Sequence, residues 1–130
     1  MHQAIERHTG VHPEILFTPH LLPIDRGILS TTYSTPREET SKEEIREIYL
    51  SYYSKEHFVR VVDEPPSLKN VRGSNYCDVY ATYDQRTNRI LTVSTIDNLV
   101  KGAAGQAIQN MNIMFGLIER TGLQNPPLNP

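Results

Sequence analysis

Three short clusters carry the side chains best suited to grip a ligand: Arg26-Gly27, Gly73-Ser74-Asn75, and Asn98 with Lys101 and Gly102. Arg26 stands beside a glycine, where the backbone is free to turn sharply. An arginine so placed can hold a carboxylate or phosphate through two parallel hydrogen bonds. The alternative is a structural arginine paired with Asp25 or Glu14. Ser74 and Asn75 follow Gly73 in a turn-forming run, so their side chains can bond a ligand or the local backbone. Asn98 and Lys101 lie where a strand gives way to a helix, at an end that favours anionic or polar groups. None of these residues is an evident nucleophile or general base. Cys77 is the sole thiol. It sits in an alternating, strand-like run without a helix N-terminus to lower its pKa, so an inert core or sheet cysteine is expected. His2, His8 and His12 are close in sequence, but Gly10 breaks the helix that would hold them together, so no metal site is expected. GxGxxG, P-loop, GxSxG and HExxH patterns are all missing. The chain thus offers polar anchors without a complete reaction centre, and no catalytic residue is expected among them.

The elements that must position these anchors follow from periodicity. Residues 2–9 read as a helix stopped by Gly10. Ile15 to Thr18 reads as a short strand, and Ile28 to Ser34 as another, rich in β-branched residues. Ser41 to Glu44 is a capping box; Ile45, Ile48, Tyr49 and Tyr52 follow at helical spacing, predicting an amphipathic helix over 42–53. A strand is expected over 57–62, a short extended piece over 68–71, and a hairpin of strands 76–83 and 89–96. The last strand delivers the chain to Asp97 or Asn98, either of which can cap a helix running to about Phe115.

That helix organises the chain. Val100, Ala103, Ala104, Ala107, Ile108, Met111, Met114 and Phe115 recur at helical spacing and predict one apolar face. Gly102 and Gly105 fall in its first turn, where each costs about 1 kcal/mol against alanine. A close approach of another surface would offset that cost. Two readings are open: a helix packed tightly on a sheet, or a helix start placed at a ligand. The tail from Gln124 to Pro130 is expected on the surface without regular structure.

Bulk numbers set the frame. The 130 residues suit one domain spanning the whole chain, 1–130. The net charge of −2 gives no electrostatic case for nucleic acid or an anionic membrane as partner. No apolar run approaches the roughly 20 residues needed to cross a bilayer. A single cysteine suits a reducing, cytoplasmic setting. The element order predicts an α+β domain, a mixed and mostly antiparallel sheet with helices packed on one face.

Four segments together carry a family resemblance: Phe17 to Leu29, Val71 to Asp78, Ile96 to Ala107, and Gln109 to Asn112. The pattern resembles the C-terminal half of N-acetyl-gamma-glutamyl-phosphate reductase, of arginine biosynthesis, and extends over essentially the whole chain. The stretch around Asp97 to Gly105 is also similar to aspartate-semialdehyde dehydrogenases; the Arg26-Gly27 and Gly73 to Asp78 motifs narrow it. The resemblance implies a glyceraldehyde-phosphate-dehydrogenase-like C-terminal domain. It implies an NADPH-dependent reduction of N-acetylglutamyl phosphate to the semialdehyde, and a homo-oligomer, dimer or tetramer. It places the nucleophilic cysteine, the acid/base histidine and most of the NADP site upstream, in an N-terminal domain that this sequence is expected to lack. Cys77 matches neither the motif nor the role. Carried over by position, Arg26, Gly27, Ser74 and Asn75 would border the substrate, with Gly73 on the same loop. Asn98, Lys101 and Gly102 would approach the cofactor. The alternatives are a stand-alone binding or dimerisation module of the same fold, or the matching half of an aspartate-semialdehyde dehydrogenase.

Overall fold

The computed structural model describes residues 2–128. Helix α1 spans His2–Thr9 and ends at Gly10, whose φ of +69° and N–H bond to the Glu6 carbonyl (2.8 Å) close the last turn. Residues 11–27 then run without a strand. The strand expected at Ile15 to Thr18 does not form. Pro13 and Pro19 bracket the run, no neighbouring strand takes its ladder bonds, and Leu16 and Phe17 stay exposed.

Strand β1 (Ile28–Ser34) pairs antiparallel with β4 (Arg89–Ile96) along its whole length, from Ile28↔Ile96 to Ser34↔Ile90. β4 in turn pairs with β3 (Cys77–Asp84) as a hairpin, from Cys77↔Ile96 to Asp84↔Arg89. Asp84 organises the connection: its carboxylate accepts from Arg86 N–H (3.2 Å) and Thr87 hydroxyl (2.7 Å). β2 (Val59–Val61) is parallel to β3, which completes a mixed sheet in the order β1-β4-β3-β2. β2 is shorter than the pattern suggested, because Asp63-Glu64-Pro65-Pro66 follows at once. The piece expected to be extended after Pro66 instead makes a 3₁₀ turn, Leu68–Asn70, capped by Ser67. Serine at that position captures the Lys69 N–H and favours the tight turn.

Helix α2 (Lys42–Tyr53) covers β2 and β3 on one face. Ser41 Oγ accepts from Glu44 N–H at 3.1 Å, as the capping signal requires. The reciprocal half of the box is not made: the Glu44 carboxylate accepts from the Thr40 hydroxyl instead (3.0 Å). Ile45 is buried and Tyr49 reaches the Thr92 hydroxyl (2.9 Å), whereas Ile48 and Tyr52 stay exposed. The core is small: Ile45, Phe58, Val71, Val79, Ala81, Val93 and Leu123. After β4 the chain enters a π-helical turn, Val100–Ala104, and then α3, Gly105–Met114.

Candidate functional site

Asp97 is the point on which the anchors converge. It is completely buried and forms an ion pair with Arg26 Nη2 at 2.6 Å. The same carboxylate accepts from the backbone N–H of Gly73 (2.6 Å), Leu99 (2.9 Å) and Val100 (3.1 Å). Next to it, Asn98 Oδ1 accepts from Gly27 N–H at 2.6 Å. Turn 26–27, loop 73–75 and the start of the last helix are therefore tied together by two adjacent side chains. Burial is the largest single influence on the Asp97 carboxyl and pushes its pKa up. Arg26 and the three N–H donors together outweigh it, so the group sits below the usual carboxylate range.

This arrangement settles two readings. The partner of Arg26 is neither Asp25 nor Glu14 but Asp97; Asp25 pairs with Arg72 instead (2.7 Å). The N–H groups of Leu99 and Val100 at the helix start are not offered to an external anion, because Asp97 itself takes them, and Asp97 rather than Asn98 is the cap. A π turn comes next. Gly102 N–H bonds Asp97 O (3.0 Å) and Ala104 N–H bonds Leu99 O (3.2 Å), each five residues back.

Below this hub lies a second polar knot. Ser74 is buried and donates to Val71 O (2.8 Å), so its hydroxyl shapes its own loop. Asn75 is buried and donates to Gln109 Oε1 (3.0 Å). Lys101 Nζ donates to the same oxygen (2.7 Å) and lies over the Phe58 ring. Gln109 in turn donates to the Glu119 carboxylate, and Asn112 Nδ2 donates to the carbonyls of Glu119 (2.9 Å) and Thr121 (3.0 Å). Burial pulls the Lys101 ammonium below its ordinary pKa, against the opposing pull of Cys77, Glu119 and Glu56.

The face of α3 that turns inward is thus Gly105, Gln109 and Asn112. Much of the expected apolar face points outward: Ile108, Met111, Met114 and Phe115 are exposed, the last two to 81% and 75%. Gln109, Asn112 and Glu119 were not among the expected site residues. The signal for the first two was present, a polar face at i, i+4 and i+7 from Gly105.

The structure gathers Arg26, Gly27, Ser74, Asn75, Asn98 and Lys101 into one region, with Gly102 on its exposed rim. It does not leave them equally available. The Arg26 side chain is 23% exposed; its Nη2 pairs with Asp97 and its Nε is buried without a partner among the described residues. Asn98 Oδ1 accepts from Gly27 N–H and the Lys101 ammonium donates to Gln109, each bond using one of several polar groups on the side chain. Gly102 does fit a close approach. It is exposed, and the nearest atom to a Cβ placed there is Ile96 Cδ1, at 3.5 Å. Among the described residues no cluster of three or more His, Cys, Asp or Glu is placed to hold a metal, and no helix is long and apolar enough to cross a membrane. The side chain of His2 lies outside the described residues.

Cys77 is half-buried on β3. Burial raises its thiol pKa, Lys101 opposes the rise and Asp78 adds to it. The thiol is therefore expected to react with a disulfide reagent at pH 7 more slowly than a free cysteine. A rate equal to that of free cysteine in a stopped-flow trace would contradict this placement.

An α+β domain with this strand order, one covered sheet face and a glycine-opened last helix is of the glyceraldehyde-phosphate-dehydrogenase-like C-terminal type. The chain belongs to the semialdehyde dehydrogenase dimerisation-domain family, whose family model matches residues 1–98. It is 53% identical over 130 residues to the N-acetyl-gamma-glutamyl-phosphate reductase of Pelotomaculum thermopropionicum, covering 98% of this chain and 38% of that protein. The enzyme of the same name from Lachnoclostridium phytofermentans is 55% identical over 118 residues, covering 89% and 34%. The chain spans little more than a third of the length of these curated relatives. Aspartate semialdehyde dehydrogenase II of Vibrio cholerae shares the fold, with a TM-score of 0.58 at 17% identity, covering 73% of this chain and 29% of that one.

Proposed function

We propose that this chain is the substrate-side and dimerisation part of an N-acetyl-gamma-glutamyl-phosphate reductase. In this reading the whole protein reduces N-acetylglutamyl phosphate to N-acetylglutamate semialdehyde, and NADPH supplies the hydride. The observation that carries it is the convergence of turn 26–27, loop 73–75 and the helix start on Asp97. The partly exposed Arg26 side chain, oriented by Asp97, meets an anionic group of the substrate. Loop 73–75 forms the adjoining wall and is held by its own buried side chains. The open backbone at Gly102 lets the reacting end of the cofactor come close, while Asn98 and Lys101 act behind it as supports. The nucleophilic cysteine, the acid/base histidine and the rest of the cofactor site belong to an N-terminal domain. The exposed apolar face of α3 supports reading the chain as one part of a larger assembly. Subunits pair through the domain's sheet, and the 130-residue chain alone is inactive.

The test is a chimera in which this chain replaces the matching stretch of the Pelotomaculum relative. Phosphate-dependent reduction of NADP by N-acetylglutamate semialdehyde is the expected result, with none from the isolated chain. A folded but silent chimera, or turnover by the chain alone, would overturn the reading.

A further inference from the structure

The last described residues do not hang loose. Glu119 and Thr121 are held through their carbonyls by Asn112, and Leu123 is buried in the core. The chain then crosses Pro126 and Pro127, whose fixed φ limits its freedom. At Leu128 it docks again. The Leu128 N–H donates to Arg72 O at 2.7 Å, and its side chain, 60% exposed on its outer side, lies against Gly73. A Cβ on Gly73 would lie 2.7 Å from Leu128 Cγ, and the glycine has a φ of +75°. Beside the loop is a cavity of about 180 Å³, bordered by Gly73, Asn75, Val100, Gly105, Leu123 and Asn125.

Loop 72–75 is therefore gripped from two sides. On one, Gly73 N–H donates to Asp97; on the other, Leu128 seats on Gly73 and bonds Arg72. Arg72 also holds Asp25, the neighbour of Arg26. We propose that residues 123–128 are a strap that clamps loop 72–75 against Asp97, with Leu128 as its buckle. The placement of Gly73, Ser74 and Asn75 then depends on the tail as well as on the loop's own bonds. The functional consequence rests on the reading of that loop as a substrate wall; the clamp itself does not.

Hydrogen exchange on the 130-residue chain tests it. Leu128→Ala is expected to speed exchange at the Gly73 amide by about tenfold, with the amides of β3 and β4 unchanged, as a local opening requires. A Gly73 rate unchanged by the substitution overturns the clamp, and so does a uniform rise across β3, β4 and Gly73, which would mean general destabilisation. In the chimeric reductase the same variant is expected to raise KM more than it lowers kcat. A chimera inactive with either residue counts against the reductase reading and leaves the exchange result to decide the clamp.

Discussion

Asp97→Ala is expected to cost about 3–5 kcal/mol of folding stability, the loss typical of breaking a buried ion pair from one side. The substitution leaves the largely buried Arg26 guanidinium unpaired and strips the acceptor from the N–H groups of Gly73, Leu99 and Val100. Against a total stability of about 5–15 kcal/mol for a domain, that is a large share. Urea unfolding should show it as a lower midpoint at unchanged slope. Asp63→Ala is the control. Asp63 pairs with Arg46 on the surface, where such pairs contribute about 0–1 kcal/mol. Removing Arg26 together with Asp97 should recover part of the loss, since no unpaired charge then remains. The pH dependence has a definite sign. The Asp97 carboxyl is depressed in the folded chain, so its contribution is complete above the ordinary carboxylate range, about pH 4, and fades as pH falls through the lower folded value. Wild type and Asp97→Asn should therefore differ most at neutral pH and converge only in acid. A constant difference down to pH 2 would remove the charge from the account.

The sequence made local elements readable and long-range partners unreadable. The Ser41 cap, the hairpin at Asp84 and the strand leading into Asp97 each depend on residues a few positions apart, and each formed. Arg26 was legible as a residue that must be held by something. The acid that holds it lies 71 positions away, and the nearby candidate Asp25 went to Arg72. Periodicity in α3 identified which residues share a face but not which face this chain buries. The apolar stripe of Ile108, Met111, Met114 and Phe115 is real, yet the inward face is Gly105, Gln109 and Asn112. A stripe measures what a helix is built to contact, and nothing in the period says that the contact lies within the same 130 residues. Among the anchors, convergence could be expected from the resemblance. Which atoms were already engaged could not, because it depends on Gln109 and Asn98 reaching across the fold.

The two glycines of the last helix should respond to alanine in opposite directions. Gly105 has ordinary helical φ and ψ, so alanine there would by itself gain roughly 1 kcal/mol of helix propensity. Space forbids it. A Cβ would lie 2.8 Å from Val100 O and 2.9 Å from Val100 Cγ1, and would press on the Asn75 side-chain oxygen. Overpacking of that kind costs about 1–3 kcal/mol. Displacing Asn75 from Gln109 adds about 1–3 kcal/mol for buried polar groups left unmatched. The net expectation is a loss of about 1–5 kcal/mol by thermal or urea unfolding. At Gly102 the first contact is at 3.5 Å and φ is not positive, so Gly102→Ala should be neutral or stabilising by up to about 1 kcal/mol. If both substitutions were neutral, Asn75 would not be wedged against the helix and the polar knot would not hold the loop. The pair also separates stability from function. The methyl group at 102 makes only ordinary van der Waals contacts within this chain, so a fall in the chimera's kcat/KM with Gly102→Ala, at undiminished stability, would point to an approaching ligand. The close approach that excuses Gly105 is made by Asn75 of the same chain; in the function proposed above, the one that excuses Gly102 is made by the cofactor.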